Sequence, residues 1–214
     1  MGTTRSRRQE RKEETRSDLV AAAIEVFASR GFHASTVEEI AQAAGYTTGA
    51  LYWHFGSKDG LFLAAFEAYA LVRVDEIGAT DASAQGGLAA RMRALADHWM
   101  ARQEDDPRFV VVALEFFVHA LRNPELREQL ATRQAAVRLA LGRVLEQAFR
   151  DEGVQPPMPA QELATALREQ GVGLALARLL DPDAVSERLY GDFVGVFAEL
   201  AASGERRPAG GAST

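Results

Sequence analysis

VEEIAQAAGYTTGALYWHFGSKDGL, residues 37–61, decides how the rest of the chain is read. Ile40, Ala41 and Ala44 fall at i, i+1 and i+4 and share one face of a short helix. Thr36 before it and Glu39 three residues later form the Thr-x-x-Glu pattern of a capping box, in which each side chain accepts from a backbone N–H of the first turn. Gly45 follows the last periodic residue, where a left-handed backbone conformation stops a helix and turns the chain sharply. Thr47 then caps a second helix over residues 48–54, with Leu51 and Phe55 four apart on its inward side. Thr48, Gly49, Tyr52, Trp53 and His54 are left toward the outside. The pattern is that of a helix-turn-helix whose second helix carries an unusually aromatic outer face.

Such a face suits a helix that enters a DNA groove. Thr and Tyr hydroxyls and the Lys58 ammonium can reach phosphate oxygens, while residues at the helix N-terminus approach base edges. Thr36, Ile40-Ala41, Ala44-Gly45, Thr48-Gly49, Leu51-Tyr52, His54-Phe55, Lys58 and Leu61 match in order and spacing the N-terminal signature of the TetR family of bacterial transcriptional regulators. The stretch from about residue 15 to 66 resembles that family's DNA-binding domain; the remainder carries no specific likeness. Thr47, Thr48, Tyr52, His54 and Lys58 are the expected phosphate contacts, Thr48, Gly49, Ala50 and Trp53 lie nearest the bases, and Thr36 completes the DNA-binding set. A helix-turn-helix also occurs in proteins that never touch DNA, and there an exposed Tyr-Trp pair would pack on a neighbouring helix.

The whole chain of 214 residues carries a net charge of −6, which by itself argues against a nucleic-acid partner. The distribution reverses that inference. Residues 1–60 hold eight basic and eight acidic residues, whereas residues 61–214 hold sixteen and twenty-two. Arg5, Arg7, Arg8, Arg11, Lys12 and Arg16 form a basic arm, expected to be flexible over residues 1–14, that reaches phosphates or the minor groove or else serves only as a solubilising tail. Alanine, leucine, arginine and glutamate dominate, strand-type alternation is scarce, and an all-α protein follows. The expected architecture is a three-helix helix-turn-helix domain over residues 15–60 joined to a larger helical bundle over 61–203, about nine helices in all, with a disordered tail over 204–214. The N-terminus has no apolar h-region, and the most apolar later run, residues 110–118, is short and contains Glu115. No membrane span is expected, and a cytoplasmic location is the default expectation.

Along the chain, Leu19, Ala22, Ala23, Val26 and Phe27 mark a first helix ending at Arg30-Gly31-Phe32. Ser57 caps a fourth helix that runs to about Ile77. Residues 78–87, GATDASAQGG, read as a loop. Asp106-Pro107, Asn123-Pro124 and Asp181-Pro182 each read as an Asx cap followed by proline at the first helical position. They place helices at about 107–121, 124–151 and 183–203, with others at 85–104 and 161–180.

Two partner surfaces are expected in the body. The last two helices carry Leu167, Leu174, Leu189, Phe193 and Phe197, and contain interior glycines Gly171, Gly173, Gly191 and Gly195. Each interior glycine costs about 1 kcal/mol relative to alanine, so close packing compensates, either in a homodimer interface or within one subunit. The resemblance to TetR regulators implies the dimer, and with it an inverted-repeat, double-stranded operator. The middle helices hold Met92, Leu95, Trp99, Phe116 and Phe117, with His119 and Gln170 as polar groups; these residues would bind a small hydrophobic or aromatic effector. The expected function is a ligand-released repressor.

A small helical enzyme and a protein-binding scaffold are the alternatives. His33, His54, His98 and His119 show no metal-ligand spacing, cysteine is absent, and Gly56-Ser57-Lys58 lacks the preceding glycine and strand of a phosphate loop. No nucleophile elbow occurs, and the adjacent pairs Glu38-Glu39 and Asp105-Asp106 do not converge. No catalytic residue, metal or cofactor is expected.

Overall fold

The computed structural model describes residues 3–83, 85–105 and 107–204, and among them the chain forms nine α-helices and no strand. These are α1 (Thr3–Arg30), α2 (Val37–Ala43), α3 (Thr48–Phe55), α4 (Lys58–Ser83), α5 (Leu88–Asp105), α6 (Arg108–Leu121), α7 (Pro124–Asp151), α8 (Ala160–Leu180) and α9 (Leu189–Gly204). They divide into two compact units, and α4 and α7 each run from the first into the second.

The first unit takes residues up to 70 together with 108–134, so it is larger than the 15–60 segment expected. The reason is aromatic packing. Phe27, Phe62 and Phe116 are fully buried, and Phe116 stacks on Phe62 with ring centroids 4.1 Å apart. Phe32 meets Phe62 and Phe116 edge-on at 5.3 and 5.0 Å, and Tyr69 stacks on Phe109 at 3.8 Å. Helix α6 therefore shares the core of α1, α2 and α4. Edge and offset-stacked rings contribute beyond their buried area, which favours this arrangement over loose apolar contact.

The second unit holds residues 71–107 and those from 135 onward, built on α5 with α8 and α9 against it. Here the interior glycines find their reason. A Cβ at Gly171 would lie 2.9 Å from the Trp99 ring, one at Gly195 2.9 Å from the Arg93 guanidinium, and one at Gly191 would overlap the Asp97 carboxylate. All three partners belong to α5 of the same subunit. The close packing is thus internal, which removes the glycine argument for a homodimer interface at Gly171; Leu167, 8% exposed, likewise belongs to this unit's core. Its backbone carbonyl accepts from the Tyr190 hydroxyl at 2.7 Å.

Three helix boundaries differ from expectation. The basic arm is helical from Thr3, because Arg, Lys, Gln and Glu are good helix formers and Gln9 and Glu13 bond across one turn at 2.8 Å. Helix α4 continues through most of the expected 78–87 loop to Ser83. Asp81 near its end pairs with buried Arg91 through two hydrogen bonds of 2.9 and 2.7 Å, and Arg91 also reaches Asp151 and Glu152. Hydrogen bonding to Asp81 above all holds the Arg91 guanidinium above its ordinary pKa. Helix α9 starts at Leu189 and not near 183. Asp181 accepts from the Asp183 N–H at 3.2 Å in a turn, and Val185, buried, offers its carbonyl to Arg178 at 2.9 Å. Asn123 caps α7 as expected, accepting from the Leu126 N–H at 3.3 Å. The cap expected at Asp106 and the tail beyond residue 204 lie outside the described residues.

Candidate nucleic-acid interface

The helix-turn-helix is built by local chemistry. Thr36 accepts from the Glu39 N–H at 3.2 Å while the Glu39 carboxylate accepts from the Thr36 N–H at 3.0 Å, which completes the capping box. Hydrogen bonding to Thr36 holds the Glu39 carboxyl below its usual range, more than burial raises it, and an ion pair with Arg30 adds to this. Gly45 has φ of +75°, and the turn is locked by the Tyr46 N–H on the Ala41 carbonyl at 2.9 Å and the Tyr46 hydroxyl on Asp18 at 2.9 Å. Thr47 caps α3, accepting from the Ala50 N–H at 3.2 Å. Ser57 caps α4 by accepting from the Gly60 N–H at 3.0 Å.

Helix α3 is anchored by Leu51, which is fully buried, and turns the expected residues outward. Tyr52 and Trp53 are 49% and 66% exposed, large apolar area that the unit does not cover. Thr36, Thr47 and Gly49 are exposed, and Thr48, Ala50 and His54 are half-buried. Gly49 is informative. It has no positive φ, and a Cβ there would meet only Thr47 Oγ1, at 3.7 Å. The fold has room for a side chain and loses helix propensity by lacking one, so nothing inside the protein requires the glycine.

Lys58 makes contacts within the chain that its place in the sequence did not reveal. Its ammonium donates to the carbonyls of Ser35 at 2.6 Å and His33 at 3.4 Å and lies 4.6 Å from the centre of the Phe32 ring. Burial lowers its pKa, with Asp59, Glu115 and Glu39 opposing. Two of its three N–H donors are therefore directed to the loop before α2.

Contacts made to α3 and its flanking loop from distant parts of the chain complete the surface. Lys12 of α1 lies over the Trp53 ring at 4.8 Å and Arg16 over Phe55 at 5.5 Å. Burial, then these two cations, push the His54 pKa down. From α6, Glu115 accepts from the Phe32 N–H at 2.9 Å and lies 3.5 Å from the His33 nitrogen, tying the α1–α2 loop in place. The basic arm's composition pointed to Lys12; an isolated acid in an apolar helix was the only hint of Glu115.

The expected effector residues fall in both units. Phe116, Phe117 and His119 belong to the first unit: Phe116 is core, Phe117 packs edge-on against Phe66, and His119 faces Asp59 at 3.4 Å and the Phe32 ring at 5.4 Å. Met92, Leu95, Trp99 and Gln170 belong to the second, where Met92 and Leu95 are buried and Trp99 and Gln170 half-buried. Of the expected dimer residues in that unit, Leu189 and Phe193 are 42% and 49% exposed, and Leu174 and Phe197 are half-buried.

A family model described as bacterial regulatory proteins, tetR family, matches residues 19–65, and one described as BetI-type transcriptional repressor, C-terminal, matches residues 88–199, more than half the chain. The HTH-type transcriptional regulator SrpR of Pseudomonas putida is 50% identical over 46 residues, 22% of this chain and 22% of that protein. The HTH-type transcriptional repressor AcnR of Corynebacterium efficiens is 30% identical over 135 residues, 60% of this chain and 65% of that one. The matches thus span about a quarter to under two thirds of these relatives' lengths. Among solved structures, a TetR transcription regulator from Haloarcula marismortui superposes with a TM-score of 0.64 at 20% identity, covering 88% of this chain and 98% of that one. The transcriptional regulator FadR from Bacillus subtilis in complex with stearoyl-CoA gives 0.63 at 18%, with the same coverage. At these identities the structures establish the shared fold alone.

Proposed function

The chain belongs to the TetR family of bacterial regulatory proteins, DNA-binding transcriptional regulators and not enzymes, and we propose that it acts as a homodimeric repressor released by a small hydrophobic effector. The observation that carries the DNA-reading assignment is the outer face of α3: exposed Tyr52 and Trp53 beside a glycine that the fold does not need. In this reading Thr48, Gly49, Ala50 and Trp53 approach base edges. Thr36, Thr47, Tyr52, His54 and the third donor of Lys58 take phosphates.

The dimer is supported by α9, where Leu189, Phe193, Val196 and Leu200 are all 42% exposed or more and recur at i, i+4, i+7 and i+11. A stripe of that size on one helix favours a second protein surface over water. Leu179 and Leu180 of α8, exposed as well, extend the apolar surface available to a partner. Two-fold pairing puts two α3 helices on half-sites about one helical turn apart or a multiple of it, hence an inverted-repeat operator. Occupying promoter DNA excludes polymerase.

For the effector, Trp99 and Gln170 are the half-buried members of the second unit's set, and Met92 and Leu95 its buried ones. The long acyl chain held by the FadR neighbour is one ligand chemistry compatible with an apolar lining. The protein works in the cytoplasm, where its operator lies, and among the described residues no helix is long and apolar enough to cross a membrane. The test is fluorescence anisotropy with the DNA flanking the protein's own gene against a scrambled duplex, over a salt series. Tight binding to one fragment, lost in Tyr52→Ala, is expected; absence of binding to any duplex at low salt refutes the reading.

A further inference from the structure

Helix α1 runs well past the core it helps to build. Leu19, Ala23 and Phe27 are fully buried, whereas all residues from 7 to 14 are exposed. One turn and two turns before the core residues on that face stand Arg16 and Lys12, and a third turn back stands Arg8, a stripe at i, i+4 and i+8. Glu10, Glu13 and Glu14 lie around the other side of the helix, Glu13 bonded to Gln9. The amphipathic face thus changes from apolar to cationic where it leaves the core, and it points toward α3. Lys12 sits 4.8 Å from the Trp53 ring centre and Arg16 5.5 Å from that of Phe55, and the Tyr46–Asp18 hydrogen bond fixes α1 against the turn before α3.

We propose that the N-terminal half of α1 is a second DNA-contacting element, in which Arg8 and Lys12 bind phosphates just outside the half-site read by α3, and Lys12 also holds the Trp53 indole in its reading orientation. The proposal rests on the DNA-binding reading of α3. The occupant follows from charge and continuity. The cations border the exposed Trp53 edge of the α3 face, and a polyanion lying on that face continues past its end. Arg8 and Lys12 are four residues, about 6 Å, apart along α1, close enough together for both to reach phosphates of one strand. An exposed Lys12 over an exposed indole is a modest cation–π pair in water, and one that DNA strengthens by displacing solvent from both. Lys12 is in this respect a positioning residue.

The probe is a duplex selected by the wild-type protein from a pool of random 30-bp sequences, used for anisotropy over a salt series and for hydroxyl-radical footprinting. Each neutralised phosphate contributes a slope of about 0.9 in log K against log salt. Arg8→Gln is therefore expected to lower the slope by about one and weaken binding about 5-fold at 0.15 M salt, with loss of protection outside the half-site. Arg8 makes no core contact, so unchanged helicity and melting temperature accompany this result. Lys12→Gln is expected to give the same slope change and in addition to relax base preference at the position next to Trp53; Lys12→Arg restores both. If Arg8→Gln and Lys12→Gln keep the wild-type slope, footprint and base preference while Tyr52→Ala abolishes binding, the second element is refuted and the α3 reading stands. If selection enriches no duplex, both are refuted.

Discussion

Alanine at Gly49 separates what the fold needs from what DNA needs. The backbone there is helical in sign, and the new methyl group meets only Thr47 Oγ1 at 3.7 Å, an ordinary van der Waals distance. No neighbour has to move. The substitution therefore gains helix propensity, about 0.5–1 kcal/mol, part of it through reduced freedom of the unfolded chain. For a chain of this length that is a rise of roughly 1–4 °C in melting temperature. Gly60 supplies the contrast, since a Cβ there would overlap the Phe55 carbonyl, and Gly60→Ala is expected to destabilise. Gly49 lies exposed in the first turn of α3, on the face that the proposed reading presents to a groove. A methyl group there is expected to cost at least about 10-fold in operator affinity, about 1.4 kcal/mol. Differential scanning fluorimetry and anisotropy on the same preparation give both numbers. A variant that is less stable would mean that packing requires the glycine; one that is as stable and binds as tightly would mean that DNA does not approach this face.

Four further outcomes are expected. Glu115→Ala leaves the Phe32 N–H without its acceptor in a part-buried site and should cost about 1–3 kcal/mol, read by urea denaturation, with faster hydrogen exchange of the Phe32 amide than elsewhere in the loop. Gly191→Ala forces its Cβ onto Asp97 and should lose about 1–3 kcal/mol, with Asp97→Ala recovering part of the loss in a double-mutant cycle. Phe27→Ala removes a fully buried ring in contact with Phe32 and Phe62, and about 3–5 kcal/mol of stability; a mutant that melts as the wild type does would contradict its place in the core. Asp97 has its pKa raised, chiefly by burial and next by Asp192, and among the described residues its Oδ1 has no hydrogen-bond partner. The native state then holds this proton more tightly than the unfolded state. The stabilisation from that proton is complete below the unfolded value near 3.8 and is lost as pH rises through the higher native value. Urea midpoints across this range should fall more steeply in the wild type than in Asp97→Asn, and parallel curves would exclude the effect.

How far the sequence could be read depended on the range of each interaction. The helix-turn-helix was legible because its determinants are local: the Thr36–Glu39 box, the caps at Thr47, Ser57 and Asn123, and the left-handed turn at Gly45 involve residues two to four apart, which sequence spacing displays directly. The outward set on α3 follows from helical period with Leu51 inward. Asp181-Pro182 misled because an Asx side chain serves a turn as readily as a helix cap, and only the burial of Val185 and its bond to Arg178 chose between them. Residues 78–83 read as loop from composition, yet the Asp81–Arg91 pair holds them helical.

The sequence by itself determined the fold class, the reading head and the residues α3 presents, since capping and amphipathic periodicity act within a few residues of one another. Tertiary structure alone decided which surfaces meet: that Gly171, Gly191 and Gly195 face α5 of their own subunit, that Phe116 packs with Phe32 and Phe62, and that Lys58 and Glu115 hold the loop before α2. A glycine, a phenylalanine or a lysine states what kind of neighbour it tolerates, apolar, small or anionic. It does not state which, because residues such as Phe32 and Glu115, 83 positions apart, become partners only when separate helices pack into one core.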